Sequence, residues 1–437
     1  MAQPSIFEPL FEATLARAQE RNEPAWLLEQ RQSGFARFVA DGLPTVRDEM
    51  WKYTNVQPLV DGGFTLPEND TISAGDAVPE PRDDERQIVF INGALSMSRS
   101  QFGDENGVSI QPIFDALANG GAETLKPLIE RAPSQSAGVF GALHSAFLSN
   151  GVVIRIEANA DVTKRIHVLC LQTRVSPGLL SAPRIVINAG ASSRATVVQS
   201  HIGVPEAAGF TNAATDIHVG QNAELSYCKV QSEGAETYHF SHLHAEQERD
   251  SRLSLFEFSM GGRLVRNNVY VRSGGENTNT IMNGVYALRG KQHVDNHTTM
   301  DHAKPNCNSH QIYKGILDEQ ARGVFDGRII VRVGATKTDA IQLNRNLLLS
   351  RRAHVDTKPQ LEISNDDVKC THGATIGQLD QDELFYLESR GISPTEAVAM
   401  LSRAFAEEVL FEVSDTVLRE SLRDVLGTFF ENSDTTS

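Results

Sequence analysis

Three groups of residues have the types and spacing to do chemistry. Cys370 and His372 stand two positions apart in VKCTHGAT, so an extended segment places both on one face. A cysteine and a histidine sharing a face are ligands for soft or borderline metals. His293, Asp295 and His297 alternate in KQHVDNHTTMDH, and a strand would present all three together, with Asp301, His302, Cys307 and His310 following. Two imidazoles and a carboxylate suit zinc, iron or manganese. His239, His242 and His244 in TYHFSHLHAEQ are the third group, with His242 and His244 on a shared strand face. Each group also has a plainer reading as hydrogen-bonded polar side chains on a sheet. For the third group the plainer reading is the one expected.

The elements that must position these residues are mostly strands. From about 151 to 376, strand-like segments such as VVIRIE, IHVLCLQT, LSLFEFSM, NVYVRS and RIIVRVG alternate with polar turns. The turns ANAD, NAGASS, GQNAEL, EQERDS and SGGENT start roughly 26 to 32 residues apart, a solenoid period. Later turns, VGATKTD, SRRAHV and SNDDVK, recur at about half that step. The pattern predicts a mainly β chain, a β-helix or stacked sandwich whose strands keep one apolar and one polar face.

Helical texture flanks this region. Residues 1–84 read as an N-terminal helical region ending in an exposed linker over 61–84, and 85–150 as a mixed α/β lead-in. The core spans 151–376, and 377–437 reads as a C-terminal helical domain. Asp380 with Glu383, and Ser393-Pro394-Thr395-Glu396, are helix starts. Apolar stripes at Val398, Leu401, Phe405 and Val409, and at Val417, Leu418, Leu422, Val425, Leu426 and Phe429, predict helices that cap the solenoid or dock a partner.

Composition narrows the function classes. A chain of 437 residues is long enough for two or three structural units. Its formal charge of −16 would repel phosphates, so nucleic acid is not an expected partner. MAQPSIFEPLFEATLARAQE lacks the basic and apolar regions of a secretory signal, and no apolar run approaches membrane-spanning length. Four scattered cysteines without a C-x-x-C fit a reducing compartment, which predicts the cytoplasm. The sequence contains no G-x-x-x-x-G-K-[ST], no G-x-G-x-x-G after a strand and no G-x-S-x-G. Any ATP used must therefore be bound by another subunit.

Longer runs carry a family likeness. EMWKYTNV (49–56), DNHTTMDHAKPNCNSHQIYKGIL (295–317), GVFDGRIIV (323–331), KTDAIQLNRNLLLS (337–350) and VDTKPQLEISNDDVKCTHGATIGQLDQDELFYLESRGIS (355–393) closely resemble the SufB/SufD family of iron–sulfur cluster assembly proteins. The match is dense over about 295–395 and looser but collinear towards the N-terminus. It is similar to the D-type members. The B-type paralogue carries a cysteine at the position of Asn344, and His-Glu-Ala in place of His372-Gly373-Ala374.

The resemblance implies a right-handed parallel β-helix flanked by helical regions. It implies a non-catalytic scaffold in complex with a SufB-like paralogue and a SufC-like ATPase, the latter held by the C-terminal helices. It puts His372, with Cys370 as its neighbour, at the interface with the paralogue, where iron or a transient iron–sulfur cluster is handled. No cofactor is expected to stay bound to the chain alone. ATP enters through the ATPase, and reduced flavin in the complex and self-association of the isolated chain are left open. Two other classes compete on residues alone: a carbohydrate-active β-helix enzyme, and a cupin-like metal enzyme built on His293, Asp295 and His297.

Overall fold

The computed structural model describes residues 6–67, 78–131, 138–173 and 178–431. Its organising feature is a column of turn residues. Asn159, Ser192, Asn222, Asp250, Asn277, Asn306 and Lys337 all have φ between 56° and 63°. Asparagine and aspartate tolerate this left-handed backbone better than most residues. The seven recur 27 to 33 residues apart. Each turn hydrogen-bonds to the next: Asn222 N–H donates to Arg249 C=O and Asp250 N–H to Glu276 C=O, both at 2.9 Å.

A fixed return distance stacks the intervening strands in parallel. The result is a β-solenoid of about seven turns built from two sheets. Strands such as His293–His302, Arg322–Val331 and His354–Ile363 follow one another in the first sheet. Asn308–Leu317, Asp339–Leu348 and Lys369–Gly377 follow one another in the second. The shorter spacing of the late turns is half a coil, because each turn passes the chain from one sheet to the other.

Between the sheets lies an apolar core, with Val197, Leu225, Leu253 and Met282 on one side and Leu243, Val269, Met300 and Ile329 on the other. Beside it runs a polar column in which side chains satisfy one another. Asn267 Nδ2 donates to Asn296 Oδ1 at 2.8 Å, Gln311 Nε2 to Thr298 Oγ1 at 2.7 Å and Gln342 Nε2 to Gln311 Oε1 at 2.7 Å. The expected alternation of one buried and one exposed face is absent from many strands. Asn279–Leu288 and His293–His302 are buried on both faces, because helical regions cover the outside.

The C-terminal helices Pro394–Leu410 and Thr416–Glu431 pack along the outer face of the second sheet. Val409, Leu410, Leu422, Leu426 and Phe429 meet Phe256, Phe258, Val285, Ile312 and Ile316. This corrects the capping expectation: most of the apolar stripe is spent on the flank of the solenoid, and among the described residues no strand pairs with the far edge of its last coil. Buried Lys314 pins the first helix through Phe405 C=O at 2.6 Å and the Glu408 carboxylate. Arg165 grips Asp415 at 3.0 Å and Asp84 at 2.7 Å, and Asp415 in turn accepts from Leu418 N–H.

The N-terminal helices Glu8–Glu20 and Ala25–Asp41 hold the first sheet through an aromatic cluster of Phe7, Phe38, Phe140, Phe147, Phe210 and Phe240. Arg31 is fully buried, paired with Glu23 at 2.8 Å and donating to Leu148 C=O at 2.9 Å. Within the stretch expected as a linker, residues 68–77 lie outside the described residues. Phe64–Thr65, at its start, is docked: it pairs with the strand Gly178–Ser181, and Phe64 stacks on Phe7.

Removing residues 378–437 would uncover the outer face of the second sheet. We expect the truncated chain to bind a hydrophobic dye strongly and to aggregate. A soluble, dye-silent truncation with native circular dichroism would refute this account of the helices.

Candidate functional site at the open end of the solenoid

Lys369–Gly377 is the last strand of the second sheet and His354–Ile363 the last of the first. Among the described residues, no strand pairs with the far edge of either. A sheet edge left this way presents a row of unsatisfied N–H and C=O groups that will template another chain.

Cys370 and His372 lie on this terminal strand. Cys370 is in register with buried Ala340 and packs against the interior core, half-buried. His372 alternates onto the same face, is in register with Gln342, and is exposed because no further coil covers it. Gln342 is fully buried, and its Oε1 has no hydrogen-bond partner. Burial, followed by the nearby Asp339 carboxylate, pushes the Cys370 thiol above its ordinary range. It is therefore protonated at neutral pH and a weak metal ligand there. The exposed His372 imidazole is the other side chain at this edge with a ligand atom for a metal. Asn344 lies one position further along the interior row of the preceding coil. It is fully buried and donates to Tyr313 C=O at 3.2 Å.

His293, Asp295 and His297 are together, but as an ion-pair network. Asp295 Oδ2 accepts from Arg266 at 2.7 Å and from Thr54 at 2.6 Å, and His297 Nε2 lies 2.9 Å from Oδ1. His293 Nε2 meets the same Thr54 hydroxyl at 3.0 Å. Arg266 stacks on Trp51, 3.8 Å from the ring centroid, and donates to Met50 C=O at 2.8 Å. A guanidinium already occupies the position a cation would take. In this structure the three anchor the EMWKYTNV segment to the first sheet, through Thr54 and through Arg266 against Trp51 and Met50. Burial alone would raise the Asp295 pKa, but Arg266, His297 and Thr54 hold it well below the usual carboxylate range.

The third histidine group is split. His242 bonds to Asn212 at 3.0 Å, and the His244 ring stacks on Tyr270. His239 faces elsewhere, towards Glu233 and His201. Sequence reasoning missed those two partners, which come from a strand and from a turn distant in the chain. The coil period was the available signal, since His201 and Gln231 are register neighbours.

Comparison with known proteins identifies the family. Residues 172–405 match the SufBD core domain of the SUF system for FeS cluster assembly, and residues 2–168 match the SufBD protein N-terminal region. The chain belongs to the SufBD family. It is 30% identical to a SufBD family iron–sulfur cluster assembly protein of Synechocystis, over 93% of this chain and 91% of that one. It is 30% identical to the iron–sulfur cluster assembly protein SufD of Escherichia coli, over 91% and 92%. Bacillus subtilis SufD is 25% identical over 94% and 95%. A SufBD protein with these SufD homologues is a component of iron–sulfur cluster assembly. No helix among its described residues is long and apolar enough to cross a membrane.

Breaking the Asp295 network should be costly. Asp295→Ala leaves Arg266 buried without its partner, and we expect a loss of about 3–5 kcal/mol in denaturant unfolding. A carboxylate depressed in the folded state stabilises above its unfolded pKa of about 4, and that contribution fades as pH falls below it. Asp295→Asn should therefore flatten the acid limb of the stability profile. An unchanged acid limb would mean that Asp295 is not held as an ion.

Proposed function

We propose that this chain is the D-type scaffold in a cytoplasmic complex with a SufB-like paralogue and a SufC-like ATPase, with iron and sulfide as cargo. The observation that carries the reading is the open end of the solenoid. Among the described residues two parallel sheet edges are unpaired, and exposed His372 lies on one of them. A second solenoid presenting the same kind of edges would extend both sheets, a strand-addition mode in which main-chain bonds supply affinity. The same edges would pair two copies of this chain when the paralogue is missing.

His372 then lies in a seam between two rigid solenoids, shielded from bulk water. Its imidazole would hold iron through a ring nitrogen or donate to nascent sulfide. The essential thiolate would come from the paralogue, because Cys370 is poorly ionised and Asn344 is buried in hydrogen bonds. The chain itself performs no group transfer in this scheme.

The ATPase would dock on the short helix Gln381–Ser389, which buries none of its residues. Phe385 and Tyr386 are 73% and 56% exposed there; Met400, within the next helix, and Phe411, just after it, are also exposed. This replaces the buried stripe of 394–430 as the contact surface.

His372→Ala removes the imidazole from an exposed position, so the complex should assemble normally. Purified anaerobically, it should carry little iron or acid-labile sulfide, whereas Cys370→Ser should retain most of both. Wild-type cluster content in the His372→Ala complex would exclude the residue from the chemistry. Loss of assembly would instead make it an interface anchor.

Phe385→Ala combined with Tyr386→Ala should lower ATPase co-purification at least tenfold with no change in the unfolding midpoint. Full retention of the ATPase would place its docking site elsewhere.

A further inference from the structure

A second constellation lies inside the solenoid, six strands from the terminal edge along the second sheet. His201, Glu233 and His239 are buried, and each offers a ligand atom, all within 4.8 Å of one another. The three come from separate segments: the strand Arg194–Gly203, the turn after Glu224–Ser232, and Glu236–Gln247 of the facing sheet.

We propose that His201, Glu233 and His239 form a buried site for one divalent transition-metal ion of the zinc or ferrous class. Two imidazoles and a carboxylate match that class, and leave a further position open. His239 is fully buried, and neither ring nitrogen makes an aligned hydrogen bond, although Nδ1 lies 2.7 Å from Glu233 Oε2. An orphaned buried polar group is destabilising unless something else satisfies it. The His201 and His239 rings meet edge-on, 4.7 Å between centroids. Tetrahedral coordination needs ligand atoms about 3.4 Å apart, within side-chain adjustment of the present spacing.

The surroundings support a cation. Glu233 accepts from Thr211 at 2.9 Å and from Gln231 at 3.2 Å, both neutral donors. Lys229 also acts on Glu233 through space, but its ammonium is hydrogen-bonded to Ser241 and Asn267 and lies 3.7 Å from Glu257. Burial pushes both imidazoles towards their neutral, ligand-competent form. Gln199 fixes the His201 ring through a 2.8 Å contact at Nε2. The Gln199 oxygen accepts from Thr215 at 2.9 Å and from Tyr227 at 2.6 Å; turned end for end, the amide would accept from His201 Nε2–H and free the Nδ1 lone pair, provided that those two hydroxyls then accept from its NH2. A cavity of about 20 Å³ lined by Cys170, His201, Thr211 and Glu233 adjoins the site. It has room for one water-sized fourth ligand.

The test is a titration of the full chain, stripped with chelator and held under anaerobic conditions, with cobalt(II) as the probe. A Cys370→Ser/His372→Ala background removes the ligands at the open edge. We expect one equivalent bound per chain, with visible ligand-field bands, and displacement by zinc and by ferrous iron. His239→Gln and Glu233→Gln should each weaken binding at least tenfold. Zinc should raise the melting temperature of the parent but not of His239→Gln, whose fold is checked by circular dichroism. Failure of the parent to bind one saturable equivalent would overturn the proposal. So would parental affinity in His239→Gln, and if Glu233→Gln fails to fold these two measurements still decide.

Discussion

The structure depends on one constraint: every coil must bring its left-handed turn residue back over that of the coil before. Asn222, Asp250, Asn277 and Asn306 meet it with positive φ and a main-chain bond to the next turn. Between such turns the strands have no freedom of register. A slip of one residue would move an entire row from the interior to the outside. Parallel ladders follow, and with them side-chain columns such as Ala340–Cys370 and Gln342–His372.

Columns explain both what is covered and what is not. A parallel sheet is stable with both faces buried. Here the N-terminal aromatic cluster covers the first sheet and the C-terminal helices the second. The ends cannot be covered in the same way, because a solenoid grows along its axis. At the C-terminal end, among the described residues, no strand pairs with the far edges of His354–Ile363 and Lys369–Gly377. The placement of His372 there gives the open edge its chemical character.

Buried polar groups sort into two kinds. Asp295, Arg266, Thr54 and His297 pair around a guanidinium and bind the N-terminal segment to the solenoid. Glu233, His239 and His201 have no guanidinium among them, and His239 Nδ1 lies 2.7 Å from Glu233 Oε2 without an aligned hydrogen bond at either ring nitrogen. The same residue types therefore serve as glue in one place and as candidate ligands in another. The difference is whether a guanidinium already neutralises the carboxylate.

Much of this was legible in the sequence. Repeating turns with Asn, Asp and Gly carried the solenoid, because left-handed backbone is a local requirement visible in residue type. Ser393 and Asp380 marked helix starts, and both accept hydrogen bonds there, from Glu396 N–H and Asp382 N–H. Strand alternation put Cys370 and His372 on one face. Other features were decided only by tertiary structure. An amphipathic stripe states that a helix must bury one side, but not against what, so Leu422 and Phe429 could not be assigned to the flank of the second sheet. Spacing placed His293, Asp295 and His297 together, yet Arg266 and Thr54, from distant segments, determine what they do. His201, Glu233 and His239 meet across two sheets. That meeting is set by the coil period and the pairing register, which no local window of sequence contains.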